Sequence, residues 1–200
     1  MNKDNYTLLQ IDTIKELANV GGGNAATSIS QLIGKPVSME VPTIEILNYN
    51  NVFNKIMPED TLIDAIMMRM LGDAEGIYLF VTRPEASKAL IQMMLPDFIK
   101  EKNEELNHST LKELVNIVVS SYLNAISKMV NVNLISSVPS LSEDMFGAIL
   151  SSAYIESEQY DENIMIIKNE FLYQGERIES SLYFIPKPGV LKKLFKILGV

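Results

Sequence analysis

The chain of 200 residues contains no cysteine and a single histidine, His108. The missing thiols exclude disulfide stapling, thiolate nucleophiles and cysteine-based zinc sites. One histidine makes no zinc cluster and cannot supply a Ser-His-Asp triad to both halves of the chain. Beside a charged stretch and next to Ser109, His108 reads as an exposed or capping residue. Positive charge is also scarce: 17 Lys and Arg stand against 25 Asp and Glu, a formal net charge of -8. That balance repels nucleic-acid backbones and anionic lipid headgroups, so neither nucleic acid nor membrane is an expected partner. The one basic cluster is Lys187, Lys192, Lys193 and Lys196, interleaved with Leu191, Leu194, Phe195 and Ile197. It reads as an ordinary amphipathic helix. No apolar run is long enough for a membrane span, and Met1–Tyr6 lacks a signal-peptide pattern, so a cytoplasmic location is expected. A protein partner with a basic surface is the electrostatically favoured one.

Hydrophobic residues make up 47% of the chain, enough for a real core. Apolar residues from Ile11 to Ile33 recur at helical spacing, with Asp12 or Thr13 as the expected cap and Gly34 as the stop. Gly21-Gly22-Gly23 falls inside this span. Each glycine costs a helix interior about 1 kcal/mol relative to alanine, so the helix either breaks there or approaches a neighbour closely. Strand-like segments follow at Val37–Leu47, Leu62–Leu71 and Ile77–Thr82, with turns expected at Asn48–Asn51 and Gly72–Gly76. Pro84 opens a helix to about Met94. The pattern restarts with a helix over Ser109–Val130. Strands are expected at Ala148–Ser157, Ile164–Tyr173 and Glu179–Ile185, and a last helix after Pro188.

The restart is a repeat. At an offset of 97, Asp12 meets Ser109, Glu16 meets Glu113, Asn19 meets Asn116 and Pro42 meets Pro139. Further on, Phe80–Pro84 meets Phe184–Pro188 at an offset of 104. The expected organisation is a first repeat over residues 7–96, a linker over 97–106 and a second repeat over 107–200, fused into one unit. Two small separate beads would leave marginal cores and exposed strand edges, so an α/β (α+β) fold with a shared sheet is expected.

Glu and Asn three residues apart lie on one helix face and address one object. Glu16 with Asn19 and Glu113 with Asn116 meet that condition, with Asp12 and Ser109 one turn earlier. Asp12 and Ser109 also suit helix caps. Pro42 and Pro139 suit an edge or strand end that shapes the site. Gly21-Gly22-Gly23-Asn24 is not a phosphate loop, because no Gly-Lys-Ser/Thr follows. The eleven methionines read as core fillers. A side-chain amide can hold a water in line with an electrophilic phosphorus, but it is too weak a base to generate hydroxide. The electrophile must therefore arrive already activated, and any cation must come with it. An acyl phosphate bound to magnesium on another protein meets both conditions, with the glutamate anchoring a basic residue of that protein.

The doubled signature resembles that of the CheC family of response-regulator phosphatases from bacterial chemotaxis, which includes CheX and the phosphatase part of FliY. The family pattern is Asp or Ser, three residues, Glu, two residues, Asn, twenty-two residues, Pro. It matches at Asp12, Glu16, Asn19 and Pro42, and again at Ser109, Glu113, Asn116 and Pro139. Asn19–Ala26 followed by Ser30-Gln31-Leu32 is similar to the first helix of CheC proteins. The resemblance implies two pseudo-symmetric halves sharing an antiparallel sheet, with two long motif helices exposed side by side. It implies phosphorylated CheY as substrate, carrying its own magnesium, with Asn19 and Asn116 placing water and Glu16 and Glu113 docking the regulator. It also implies CheD as a partner, and flagellar-switch components or an adaptor role as the alternative. FliY-like members carry an extra flagellar-switch domain, for which no residues remain after Val200, and CheX-like members hold a single active copy. Two intact copies therefore point towards CheC. The second half has Val118-Val119-Ser120 in place of the glycine run, so its helix is expected to pack differently.

Overall fold

The computed structural model describes residues 6–40, 43–95, 103–158 and 163–200. Helix α1 (Leu8–Ile33) runs unbroken through the three glycines. It starts earlier than expected, because Thr7 and Gln10 form a capping box. The Thr7 hydroxyl accepts from the Gln10 N–H at 3.2 Å, and the Gln10 side chain accepts from the Thr7 N–H at 3.0 Å. Asp12 and Thr13 are therefore interior helix residues and not caps. Gly34, with φ 68°, closes the helix as its sequence position suggests.

The first half continues with β1 (Ser38–Met39), β2 (Thr43–Asn48), α2 (Tyr49–Lys55), β3 (Leu62–Gly72), β4 (Gly76–Thr82) and α3 (Pro84–Met94). The second half runs α4 (Glu104–Val130), β5 (Leu134–Ser136), β6 (Ser140–Met145), α5 (Phe146–Glu156), β7 (Asn163–Tyr173), β8 (Glu176–Pro186) and α6 (Val190–Leu198). The order of helices and strands is the same in both. Helix α4 is capped by the Asn103 side chain, which accepts from the Leu106 N–H, so Ser109 is not a cap either. Its first turn lies within the segment expected as linker, of which residues 97–102 fall outside the described residues.

Two segments take a different form from the one the sequence predicts. Asn48–Asn51, expected as a turn, ends β2 and begins α2, where Val52 is fully buried. Ala148–Ser157, expected as a strand, lies mostly in α5. Its buried residues Phe146, Ile149, Leu150 and Ala153 follow helical spacing, which an apolar run of this length obscures.

The strands form one antiparallel sheet in the order β1-β7-β8-β4-β3-β5, with β2 also on β7 and β6 also on β3. Each half thus lends its first two strands to the long hairpin of the other. Ile44 of β2 faces Ile167 of β7, and Leu141 of β6 faces Ile66 of β3. Likewise Ser38 faces Leu172, and Ile135 faces Leu71. At the centre β4 pairs with β8, Leu79 opposite Tyr183. These are pseudo-symmetric repeats sharing a sheet.

Alternate side chains of the sheet feed two cores, as the two-residue strand period requires. Met68, Phe80 and Leu182 pack under α1, α3, α4 and α6, while Ala65, Leu79 and Tyr183 pack under α2 and α5. Strand β4 is buried along its whole length because both of its faces are covered.

Candidate functional site

The core side of α1 includes Ile14, Leu17, Ala18, Gly21, Ala25 and Ile29, and that of α4 includes Leu111, Leu114, Val115, Val118 and Tyr122. Burial of these stripes fixes the rotation of both helices. At about 100° per residue, Asp12, Glu16 and Asn19 then fall within an arc of roughly 60° on the opposite side. Asp12 and Glu16 are exposed, and Asn19 is half-buried at the edge of the core. The second copy matches position by position, with Ser109 and Glu113 exposed and Asn116 half-buried.

Among the described residues, neither Glu16 nor Glu113 has a side-chain hydrogen bond or ion pair. Both carboxylates are free to meet a cation from outside. Asp12 pairs with Lys15 at 3.5 Å, but both side chains are largely in solvent and the pair contributes little. The Asn19 Oδ1 is buried without a hydrogen-bond partner among the described residues. Leaving such an acceptor unpaired costs about 1–3 kcal/mol, a cost that invites a functional explanation.

The two helices meet at close range. A β-carbon on Gly21 would stand 2.6 Å from Cδ1 of Tyr122, so only glycine allows this approach. One on Gly22 would lie 3.5 Å from the Tyr122 hydroxyl and 3.8 Å from Cε of Met39, ordinary contact distances. At the corresponding turn of α4, the fully buried Val118 and Val119 pack through side chains instead of bare backbone. Burial pushes the Tyr122 hydroxyl well above the usual tyrosine range, so it stays neutral.

Pro139 is half-buried immediately before β6, at a strand end as expected, while Pro42 lies outside the described residues. Near Pro139, Ser137 exchanges two hydrogen bonds with the Arg69 backbone, each 2.9 Å. His108 pairs with Glu143 of β6 at 3.0 Å. The repeat extends beyond the residues singled out from the sequence. Thr13-Ile14-Lys15 and Thr110-Leu111-Lys112 also correspond, and direct alignment of the two helices finds them. Both threonine hydroxyls donate to the carbonyl four residues earlier, at 2.8 and 2.7 Å. Lys15 and Lys112 therefore precede the two glutamates in the same way. Among the described residues no group of three or more His, Asp or Glu side chains is placed to hold a metal, and no helix is long and apolar enough to cross a membrane.

A model of the CheC-like family matches residues 9–46 and 106–143, each span taking in one Glu–Asn motif with its proline. The CheY-P phosphatase CheC of Bacillus subtilis (strain 168) is 30% identical over 196 residues, which cover 95% of this chain and 94% of that protein. Among solved structures, Thermotoga maritima FliY superposes with a TM-score of 0.76 at 18% identity, over 98% of both chains. A chain of the CheX-CheY-BeF3-Mg+2 complex from Borrelia burgdorferi gives a TM-score of 0.51 at 14% identity, covering 88% of this chain and 99% of that one. At these identities the structural matches speak to the fold alone.

Proposed function

The chain belongs to the CheC-like family, and on that premise we propose that it hydrolyses the aspartyl phosphate of the chemotaxis response regulator CheY. The observation that carries this reading is the paired disposition of the motif. Two core-anchored helices present the same outward glutamate, without a partner among the described residues, and the same half-buried asparagine one turn along.

In this reading Glu16 and Glu113 dock a basic residue beside the phosphorylation site, where charge complementarity sets orientation. Asn19 and Asn116 hold a water in line with phosphorus. Its oxygen bonds to phosphorus as the bond to the aspartyl oxygen breaks. The carboxylate leaves, and both protons of the water end on the released phosphate. The magnesium belongs to the substrate protein, where it neutralises charge on the phosphoryl oxygens. Positioning is the whole contribution of the asparagine, so its short side chain must be held steady, as its half-buried setting provides. The reaction takes place in the cytoplasm, and CheD and flagellar-switch components are the further partners of this reading.

The test is phosphate release from phosphorylated CheY with catalytic amounts of this protein. Replacing both Asn19 and Asn116 with alanine is expected to abolish the acceleration while circular dichroism stays unchanged and the melting point does not fall. An undiminished rate in that folded variant overturns the mechanism. A wild-type protein that binds CheD tightly but leaves CheY phosphate untouched selects the adaptor role instead.

A further inference from the structure

The three glycines of α1 have three different surroundings. Gly21 is required by Tyr122, and Gly22 faces Tyr122 and Met39 at distances an alanine tolerates. Gly23 is exposed, and a β-carbon there would meet none of the described residues within 4 Å. Its φ is not in the left-handed region. Among the described residues, therefore, nothing calls for glycine at position 23, and glycine weakens the helix that carries the site.

Its position is informative. By helical rotation Gly23 falls between Asn19 and Glu16 in angle, one turn beyond the asparagine, so it lies on the axis of the motif stripe. It also borders a surface groove of about 580 Å³ between α1 and the segment entering β1, lined further by Ala26, Thr27, Ser30 and Met39. The motif face thus continues into a recess whose near end is bare backbone.

We propose that Gly23 is a positioning residue of the first site, giving the phosphate-bearing surface of the response regulator room to seat against the backbone of α1. This rests on the phosphatase reading and adds a reason for that site to outperform the other. A water held by Asn19 must come within about 3–3.5 Å of phosphorus. Asparagine is short, so the partner's backbone must itself come close to the helix, and a β-carbon on the stripe holds it off. The second copy carries Ser120 at this position, half-buried and with a side chain. The second site is therefore the slower one.

The experiment uses the full chain in an Asn116→Ala background, so that only the first site turns over. In it, kcat and KM for phosphorylated CheY and the thermal midpoint are measured for Gly23→Ala, Gly23→Ser, Gly23→Leu and the matched control Gly22→Ala. Gly23→Ala is expected to raise the midpoint, as its helix propensity demands, while kcat/KM falls at least about tenfold. Gly23→Leu falls further, and Gly22→Ala keeps its kcat/KM. A stabilised but slower enzyme is the opposite of what a folding defect produces. In the reciprocal background, Ser120→Gly on Asn19→Ala is expected to speed the second site. Unchanged kcat/KM in Gly23→Ala overturns the proposal and leaves the phosphatase reading standing. So does an inactive Asn116→Ala parent beside an active wild type. An inactive wild type overturns the phosphatase reading and this proposal with it.

Discussion

Gly21 of α1 lies so close to Tyr122 of α4 that a β-carbon there would stand 2.6 Å from the ring and 3.0 Å from the Tyr122 Cα. Backbone meets residue backbone at this point, and the two repeats are joined there as well as through the sheet. Gly21→Ala is expected to lose about 1–3 kcal/mol of stability from overpacking, although alanine is the better helix former. Gly22→Ala, with contacts of 3.5 and 3.8 Å, is expected to be neutral or stabilising. Urea unfolding of both variants measures the contrast. A stabilised Gly21→Ala would contradict the close approach.

The docking role proposed for the glutamates makes a different prediction. With only the first site active, Glu16→Lys turns an attraction into a repulsion and is expected to raise KM at least about tenfold, with a smaller change in kcat. Glu16→Gln should fall between the two. Because exposed charges are screened, the wild-type KM should also rise with ionic strength, and that dependence should weaken in Glu16→Gln. A kcat defect at unchanged KM would assign Glu16 to the chemistry and not to docking.

The helix face that carries the candidate site was legible in the sequence because it is written on single helices. The spacing of Asp12, Glu16 and Asn19 fixes a face, and the repeat at Ser109, Glu113 and Asn116 fixes it again. The glycine run posed a question that the sequence alone left open, and Tyr122 answers it for Gly21. Local chemistry was misread where two signals competed. Asp12 suits a cap, but Thr7 and Gln10 form a complete box one turn earlier. Ala148–Ser157 reads as a strand because its apolar residues sit close together over a short span, which hides the helical spacing of the buried Phe146, Ile149, Leu150 and Ala153. Strands β5 and β6 escaped notice because they are short, with side chains that are mostly exposed or half-buried. The exchange of β1 and β2 for β5 and β6 between the halves is a long-range pairing, and no local pattern records it.

Three buried tyrosines set the upper pH limit of the fold. Burial pushes the hydroxyls of Tyr78, Tyr122 and Tyr183 well above the ordinary range. In the unfolded chain they ionise near about pH 10. A group whose ionisation is suppressed by folding contributes stability below its unfolded pKa and loses it as pH rises beyond that value. Stability is therefore expected to fall steadily above about pH 10, with the unfolded state favoured by each phenolate it can form. Tyr122 packs against α1 at Gly21, and Tyr78 stacks on Phe184 at 4.8 Å beneath the same helices, so neither can ionise without opening the core. Phenolate absorbance and circular dichroism recorded together on alkaline titration test this. The three tyrosines should ionise only with loss of the fold, and full ionisation of all eight tyrosines in a still-folded chain would refute the burial argument. Tyr122→Phe removes one such phenol while keeping the ring, and should make the decline above pH 10 shallower.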